Sequence, residues 1–254
     1  MRSAAARPAG RADACAGPGG PLYPGRTMEG WERLWRLDDV AARWREADPR
    51  VVALADGLAG RRAYDLGCGV GRHALALAAR GLRISASDLS PTALGRCRAA
   101  FAERGLAAGL VHSAMTAAPF ADGSFDLVVA YHVLYHGTAA EMDRAMGEVR
   151  RVLRPGGRLY VTFISANDSK YARMRRQAAA GLAEELEPNT FRRPDQVDGD
   201  EYLPHHFTTE AELRGRFMAD LEPLDVEERR SAGPDGEKER RQRAHWHVLA
   251  RRKA

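Results

Sequence analysis

The chain is poor in cysteine, with three in 254 residues, at positions 15, 68 and 97, and no CxxC pair. That spacing offers neither a disulfide framework nor a thiolate metal cluster, so a reduced, cytoplasmic compartment is expected. No apolar run approaches the ~20 residues that a bilayer crossing needs, and no membrane partner is expected. The first twenty-seven residues are rich in Ala, Arg, Gly and Pro but hold no apolar stretch of the secretory kind. They read as a disordered extension ahead of Met28, where patterned sequence begins. The formal net charge of +5 suggests nucleic acid, yet Arg2, Arg7, Arg11 and Arg26 against Asp13 place three of those charges in the extension. The densest basic stretch elsewhere, 238–243, alternates with Glu and Gln and reads as a solvated loop. Internal repeats are absent.

What is present is an alternation. Residues 28–60 carry two helical patterns, and a strand is expected at 62–66. A helix over 71–80 ends at Gly81, the next strand runs 82–87, and Ser90-Pro91 opens a helix in the manner of a capped N-terminus. Short strand three lies near Leu110–His112, and Asp122-Gly123 turns into strand four at Phe125–Tyr131. Thr138 and Glu141 have capping-box spacing ahead of a helix that Arg154-Pro155-Gly156-Gly157 stops, and strand five is Arg158–Ile164. Helices alternating with near-continuous apolar strands demand a parallel sheet covered on both faces. The domain therefore divides into N-terminal helices (28–60), a ligand-binding core (61–164), an insertion over the site (165–208) and a C-terminal helix with a β-hairpin (209–254).

Within the core, Ala63-Tyr64-Asp65-Leu66-Gly67-Cys68-Gly69-Val70-Gly71-Arg72-His73 reads as a strand ending in an acid, a glycine-rich turn and a helix start. Such a turn brings backbone N–H groups close to a ligand. Asp88 closes the second strand, where an acid accepts hydrogen bonds from ribose hydroxyls. A dinucleotide fingerprint would place glycine at 72, where this chain has Arg72. The glycines run G-x-G-x-G instead, and this resembles motif I of the class I S-adenosylmethionine-dependent methyltransferases. Pro119-Phe120-Ala121-Asp122-Gly123-Ser124-Phe125-Asp126 and Arg151-Val152-Leu153-Arg154-Pro155-Gly156-Gly157 are similar to two further segments of that superfamily.

The resemblance implies an α/β fold, a three-layer Rossmann-like doubly wound sheet of seven strands in the order 3-2-1-4-5-7-6, the last strand antiparallel. It implies S-adenosyl-L-methionine as cofactor. Asp65, Gly67 and Gly69 would surround its methionine part, with Cys68, a small space-filler, and Gly71 completing the turn. Asp88 and Leu89 would hold the ribose, and Ala114 and Met115 would flank the adenine. Many relatives have Asp in place of Ala114, which leaves the adenine amino contact to Ser113 or to backbone.

The polar aromatics after strand four supply the candidate catalytic groups, because sites of open α/β sheets lie at the carboxyl ends of strands. Tyr131 is expected nearest the transferred methyl group, and His132 and His136 are expected to orient or deprotonate the acceptor. Tyr135 and, from the insertion, Tyr171, Asn189, His205 and His206 are the substrate candidates. The insertion has few aliphatics and suits a lid more than a core; with the end of strand four it looks like one branch of uncharacterised bacterial methyltransferases. No carboxylate spacing around the histidines points to a metal cage, so no metal is expected. The partner read here is a small-molecule acceptor. An RNA methyltransferase and a non-catalytic S-adenosylmethionine-binding protein are the alternatives, and a homodimer is left open.

Overall fold

The computed structural model describes residues 24–38, 44–58, 60–196, 200–232 and 242–254. The extension read at 1–27 lies outside the described residues as far as position 23, and so do residues 238–241 of the basic stretch. Helix α1 (Pro24–Arg36) is already formed four residues ahead of Met28, and α2 (Pro49–Ala53) follows, capped by Asp48. The second helix is shorter than its pattern suggested; turns carry the chain on to β1, with Val51 and Ala55 buried.

The core alternates β1 (Arg62–Leu66), α3 (Arg72–Ala78), β2 (Arg83–Asp88), α4 (Pro91–Glu103), β3 (Ala108–His112), β4 (Phe125–Ala130), α5 (Ala139–Val152) and β5 (Leu153–Ile164). Ser90 caps α4 by accepting from the Ala93 amide, and Thr138 with Glu141 forms a complete capping box on α5. Alternate strand residues feed two apolar layers. Tyr64, Val128, Val161 and Phe163 pack with Met142 and Met146 of α5, while Ala63, Leu127, Val129 and Tyr160 pack with Leu77, Leu94, Cys97 and Phe101. Burial on both faces is why these strands read as continuous apolar runs rather than as alternating ones. Strand β5 begins earlier than expected, at Leu153. It takes in Pro155-Gly156-Gly157 through a shift of register opposite Phe125 and Leu127.

Residues 165–208 leave the sheet and return at one point, where Ser165 and Thr208 pair. The insertion contains α6 (Ser169–Ala179), a three-stranded sheet of β6 (Glu184–Glu187), β7 (Thr190–Arg192) and β8 (His205–His206), and a 3-10 turn at Asp200–Tyr202. It has a core of its own: Met174, Ala183, Phe191 and Phe207 pack with Tyr135 and Ile164. Few side chains suffice because three of the four are large and wholly buried. After it, α7 (Glu210–Glu212) passes into a wider π turn at Leu213–Phe217 rather than completing one regular helix. The hairpin of β9 (Leu221–Ala232) and β10 (Gln242–Arg252) then completes the sheet.

The order across the sheet is β3-β2-β1-β4-β5-β10-β9, with β1 to β5 mutually parallel and β10 antiparallel to both of its neighbours. The topology is the doubly wound one expected, with the last strand of the chain reversed. Among the described residues no helix is long and apolar enough to cross a membrane.

Candidate functional site

The carboxyl ends of β1, β2 and β4 converge on one edge of the sheet. At the end of β1 the backbone turns through Gly67 (φ 66°), Gly69 (φ 54°) and Gly71 (φ 84°), all left-handed. Side chains are excluded by space as well as by φ. A Cβ on Gly69 would lie 2.7 Å from Cζ2 of Trp35 on α1, and one on Gly71 would overlap the Cys97 sulfur. Cys68, between them, is buried; its neighbour Cys97 and the lack of solvent hold its thiol well above its usual pKa. It stays protonated, in keeping with a space-filler.

Asp88 is buried against this turn. One carboxylate oxygen accepts from the Gly69 amide (2.8 Å) and the other from the Ser90 amide (2.9 Å), while burial raises its pKa. Each oxygen keeps a second lone pair. Leu89 is half-buried, and its carbonyl accepts from Nε2 of His112 (2.9 Å). Ala114 and Met115, also half-buried, follow β3, and the Met115 methyl lies 3.0 Å from where a Cβ on Gly137 would sit. Asp65 is buried at the end of β1, accepts from the Ala74 amide (3.1 Å), and is pushed up to about 7 by loss of solvent. Helix α1 covers the site. Glu32 accepts from the Ser90 and Thr92 hydroxyls and the Thr92 amide at the start of α4, Trp35 lies on Gly69, and Trp31 meets His136 edge-on at 4.7 Å.

Beyond β4 lies a chamber of imidazoles. His132 has left-handed backbone (φ 59°), uncommon for a residue with a side chain, and its amide donates to Thr162 Oγ1 (2.8 Å). Its Nδ1 shares a hydrogen bond with the Tyr135 hydroxyl (2.7 Å), and its ring meets His245 at 4.5 Å. A second pair, His136 and His205, meets at 4.6 Å, and the Tyr135 ring touches both pairs. Loss of solvent, reinforced by neighbouring imidazoles and cations, holds His132 and His136 well below their usual pKa and lowers His245 to about 3. All three are therefore neutral near pH 7. His132 and His245 are largely desolvated yet keep some accessible surface. His136 Nδ1 is buried with no hydrogen-bond partner. His205 donates from Nδ1 to the Leu203 carbonyl (3.0 Å), so its Nε2 accepts from Lys170 Nζ (3.0 Å), with Asp200 alongside.

The remaining candidates lie elsewhere. Tyr131 donates its hydroxyl to Asp48 (2.9 Å) within a network of Arg50, His247 and Tyr160. Burial opposes ionisation of Asp48, but hydrogen bonds from Arg50 and Tyr131 prevail and hold it well below the usual range. Asn189 occupies the left-handed position of the β6–β7 turn (φ 66°), after Pro188, and accepts from the Tyr171 hydroxyl. Tyr171 packs on Phe207 inside the insertion's core. His206 projects from the opposite face of β8 to His205, between Thr190 (2.7 Å) and Glu212 (3.0 Å). The structure thus gathers His132, Tyr135, His136 and His205, and leaves Tyr171, Asn189 and His206 among the bonds that build the 165–208 insertion. Sequence reasoning missed His245, Asp48, Lys170 and Trp44, whose ring meets that of His132 at 5.6 Å. Only His245 carried a signal: with His247 it forms H-x-H, which puts both imidazoles on one face of a strand. Among the described residues no group of three His, Cys, Asp or Glu could hold a metal ion.

Residues 64–161, from β1 to β5, match the model of a protein family described as "Methyltransferase domain". Over that segment the chain is similar to methyltransferases. The 1,6-didemethyltoxoflavin-N1-methyltransferase of Burkholderia thailandensis, solved with 1,6-didemethyltoxoflavin and S-adenosylhomocysteine, shares the domain's fold at a TM-score of 0.66. That match has 16% identity and covers 95% of this chain and 94% of the other. In sequence the domain is 38% identical over 121 residues to the demethylmenaquinone methyltransferase of Thermus thermophilus, covering 47% of this chain and 53% of the relative. It is 34% identical over 152 residues to the ubiquinone biosynthesis O-methyltransferase of Aromatoleum aromaticum, covering 54% and 64%. The chain thus spans about half to two thirds of the length of these curated relatives.

Proposed function

We propose that the protein transfers a methyl group from S-adenosylmethionine to a small-molecule acceptor held in the histidine chamber. The observation that carries this reading is the junction of a left-handed glycine turn, a buried ribose-height acid and a chamber of neutral imidazoles at one sheet edge. The residues present fit the cofactor. Left-handed glycines allow close backbone approach, Asp88 retains lone pairs for ribose hydroxyls, and Asp65 is a buried carboxyl suited to a cationic ligand. When bound, S-adenosylmethionine supplies a methyl group on a sulfonium, which the acceptor displaces in line.

The chain's own part is to bind, orient and exclude water. Trp31, Trp35 and the insertion wall the site, so that an acceptor is held in place rather than met by collision. His132, neutral and hydrogen-bonded to Tyr135, is the group able to take a proton from a hydroxyl or thiol acceptor. His136 offers its unpartnered Nδ1 to the acceptor's polar group. Two relatives act, by name, in menaquinone and ubiquinone formation, which supports a small-molecule rather than a polymeric acceptor.

Titration calorimetry with S-adenosylhomocysteine tests the cofactor assignment. Asp88→Ala should weaken binding by about 10–100-fold, the loss of charge-assisted hydrogen bonds. Unchanged affinity would refute the ribose role of Asp88. Labelled S-adenosylmethionine incubated with metabolite pools then reveals the acceptor, and label appearing in tRNA instead would overturn the small-molecule reading.

A further inference from the structure

Four imidazoles meet in the chamber, and their hydrogen bonds sort them. His205 has both ring nitrogens engaged, Nδ1 on the Leu203 carbonyl (3.0 Å) and Nε2 on Lys170 Nζ (3.0 Å). Among the described residues no ring nitrogen of His136 or His245 has a hydrogen bond, so nothing fixes which nitrogen carries the proton. His132 alone has one nitrogen held and the other free. Its Nδ1 meets the Tyr135 hydroxyl at 2.7 Å, and its Nε2 has no partner among the described residues. An imidazole bound at one nitrogen by a further group, with the other nitrogen open, is the arrangement that orients a base for proton transfer.

The surroundings hold this pair in place. The His132 backbone is left-handed (φ 59°), a conformation that costs energy for a residue with a side chain, and its amide is tied to Thr162 Oγ1 on β5 (2.8 Å). Thr162 is wholly buried. Tyr135 is buried too, and its carbonyl accepts from the His206 amide of β8 (2.9 Å). The 165–208 insertion therefore grips the backbone of the residue whose hydroxyl meets His132. Burial keeps the Tyr135 phenol protonated well above neutral pH, so Tyr135 does not itself take up a proton. A hydroxyl oxygen can nevertheless accept from an N–H and keep its own proton to donate.

We propose that Tyr135 is a positioning residue: its hydroxyl oxygen accepts from Nδ1–H of His132 and so leaves the Nε2 lone pair open to the methyl acceptor. The inference rests on the methyl-transfer reading given above and names how one of four imidazoles becomes its base. The proton passes from the acceptor's oxygen or sulfur to Nε2, and the bonding pair stays on that atom as the nucleophilic lone pair. His132 becomes an imidazolium whose Nδ1–H remains on Tyr135.

Long-range 1H–15N NMR of histidine-labelled protein at pH 7 reads the tautomer, and His132→Gln identifies its signal. The wild type should show His132 in the Nδ1–H form, the opposite of the Nε2–H form that free histidine prefers. Tyr135→Phe keeps the ring and loses the hydroxyl, so His132 should revert to Nε2–H. The same variant should slow transfer of label from S-adenosylmethionine into metabolite pools by about 100-fold, the low end of what a positioned base contributes, with S-adenosylhomocysteine affinity unchanged. A wild-type His132 already in the Nε2–H form would overturn the proposal, and that spectrum decides it even if Tyr135→Phe does not fold. Unchanged label transfer by the variant would overturn it as well. A wild type that binds no S-adenosylhomocysteine would bring down the methyl-transfer reading and this proposal with it, whereas binding together with an Nε2–H His132 removes the proposal alone.

Discussion

Asp65 makes stability depend on pH in an unusual direction. Its carboxyl titrates at about 7 when folded, against 3.8 for an unperturbed aspartate, because burial disfavours the charged form. Below pH ~4 both the folded and unfolded chains hold the proton, and the group is neutral in the balance. As pH rises toward 7 the unfolded chain releases its proton while the folded one keeps it, so stability falls by about 1.4 kcal/mol per pH unit. Across the window the loss from this group reaches about 4 kcal/mol, and it is constant above pH 7. Asp65→Asn cannot titrate, and its Oδ1 still accepts from the Ala74 amide (3.1 Å in the wild type). The unpaired amide N–H groups of the variant add an offset that does not vary with pH. Urea unfolding followed by tryptophan fluorescence should therefore show the variant gaining on the wild type by about 3 kcal/mol between pH 5 and pH 8. The same variant should bind S-adenosylhomocysteine more weakly at pH 8. A stability difference that is the same at both pH values, or that moves the other way, would refute the reasoning.

Other outcomes follow from single contacts. Gly71→Ala should cost about 2–5 kcal/mol, combining left-handed strain with overlap on Cys97; in a Cys97→Ala background the overlap part, about 1–3 kcal/mol, should vanish in a double-mutant cycle by urea denaturation. Thr138→Ala removes half of the capping box on α5 and should lower Tm by about 2–4 °C, the effect of roughly 1 kcal/mol in a domain of this size, as calorimetric scans would show. His136→Phe removes a buried nitrogen that has no partner, so Tm should rise while methyl transfer slows; a variant that turns over normally would take His136 off the site.

The turn, the two strand-end acids and the capping box were legible because each is written in local chemistry, as glycine spacing, acid placement and helical and strand periods, whereas the sheet order came from the family resemblance. Asp88 is recognisable at a fixed distance from the turn, and Thr138 with Glu141 announces its helix. The histidine chamber was only half legible. His132 and His136 stand next to β4, but His245 reaches them from β10 across the sheet, a contact no local pattern contains. His205 and His206 looked equivalent in sequence, and only the pleat of β8 sends one to the chamber and the other to Glu212. Asn189 read as a polar substrate contact, whereas it serves the backbone, as the left-handed corner of a turn. The insertion hid its core because Met174, Phe191 and Phe207 are too widely spaced to form a period.

Helix α1 is a single body of thirteen residues that sets one indole on Gly69 and another, a turn away, on His136. On the proposed function, cofactor and acceptor would share that wall, and a ligand that shifts it at one end would alter affinity at the other by an equal factor in both directions. Kinetically this favours compulsory order: the first arrival seats the wall, the second meets a prepared pocket, and departure runs in reverse. Product-inhibition patterns in steady state would register that sequence without any coordinate being measured.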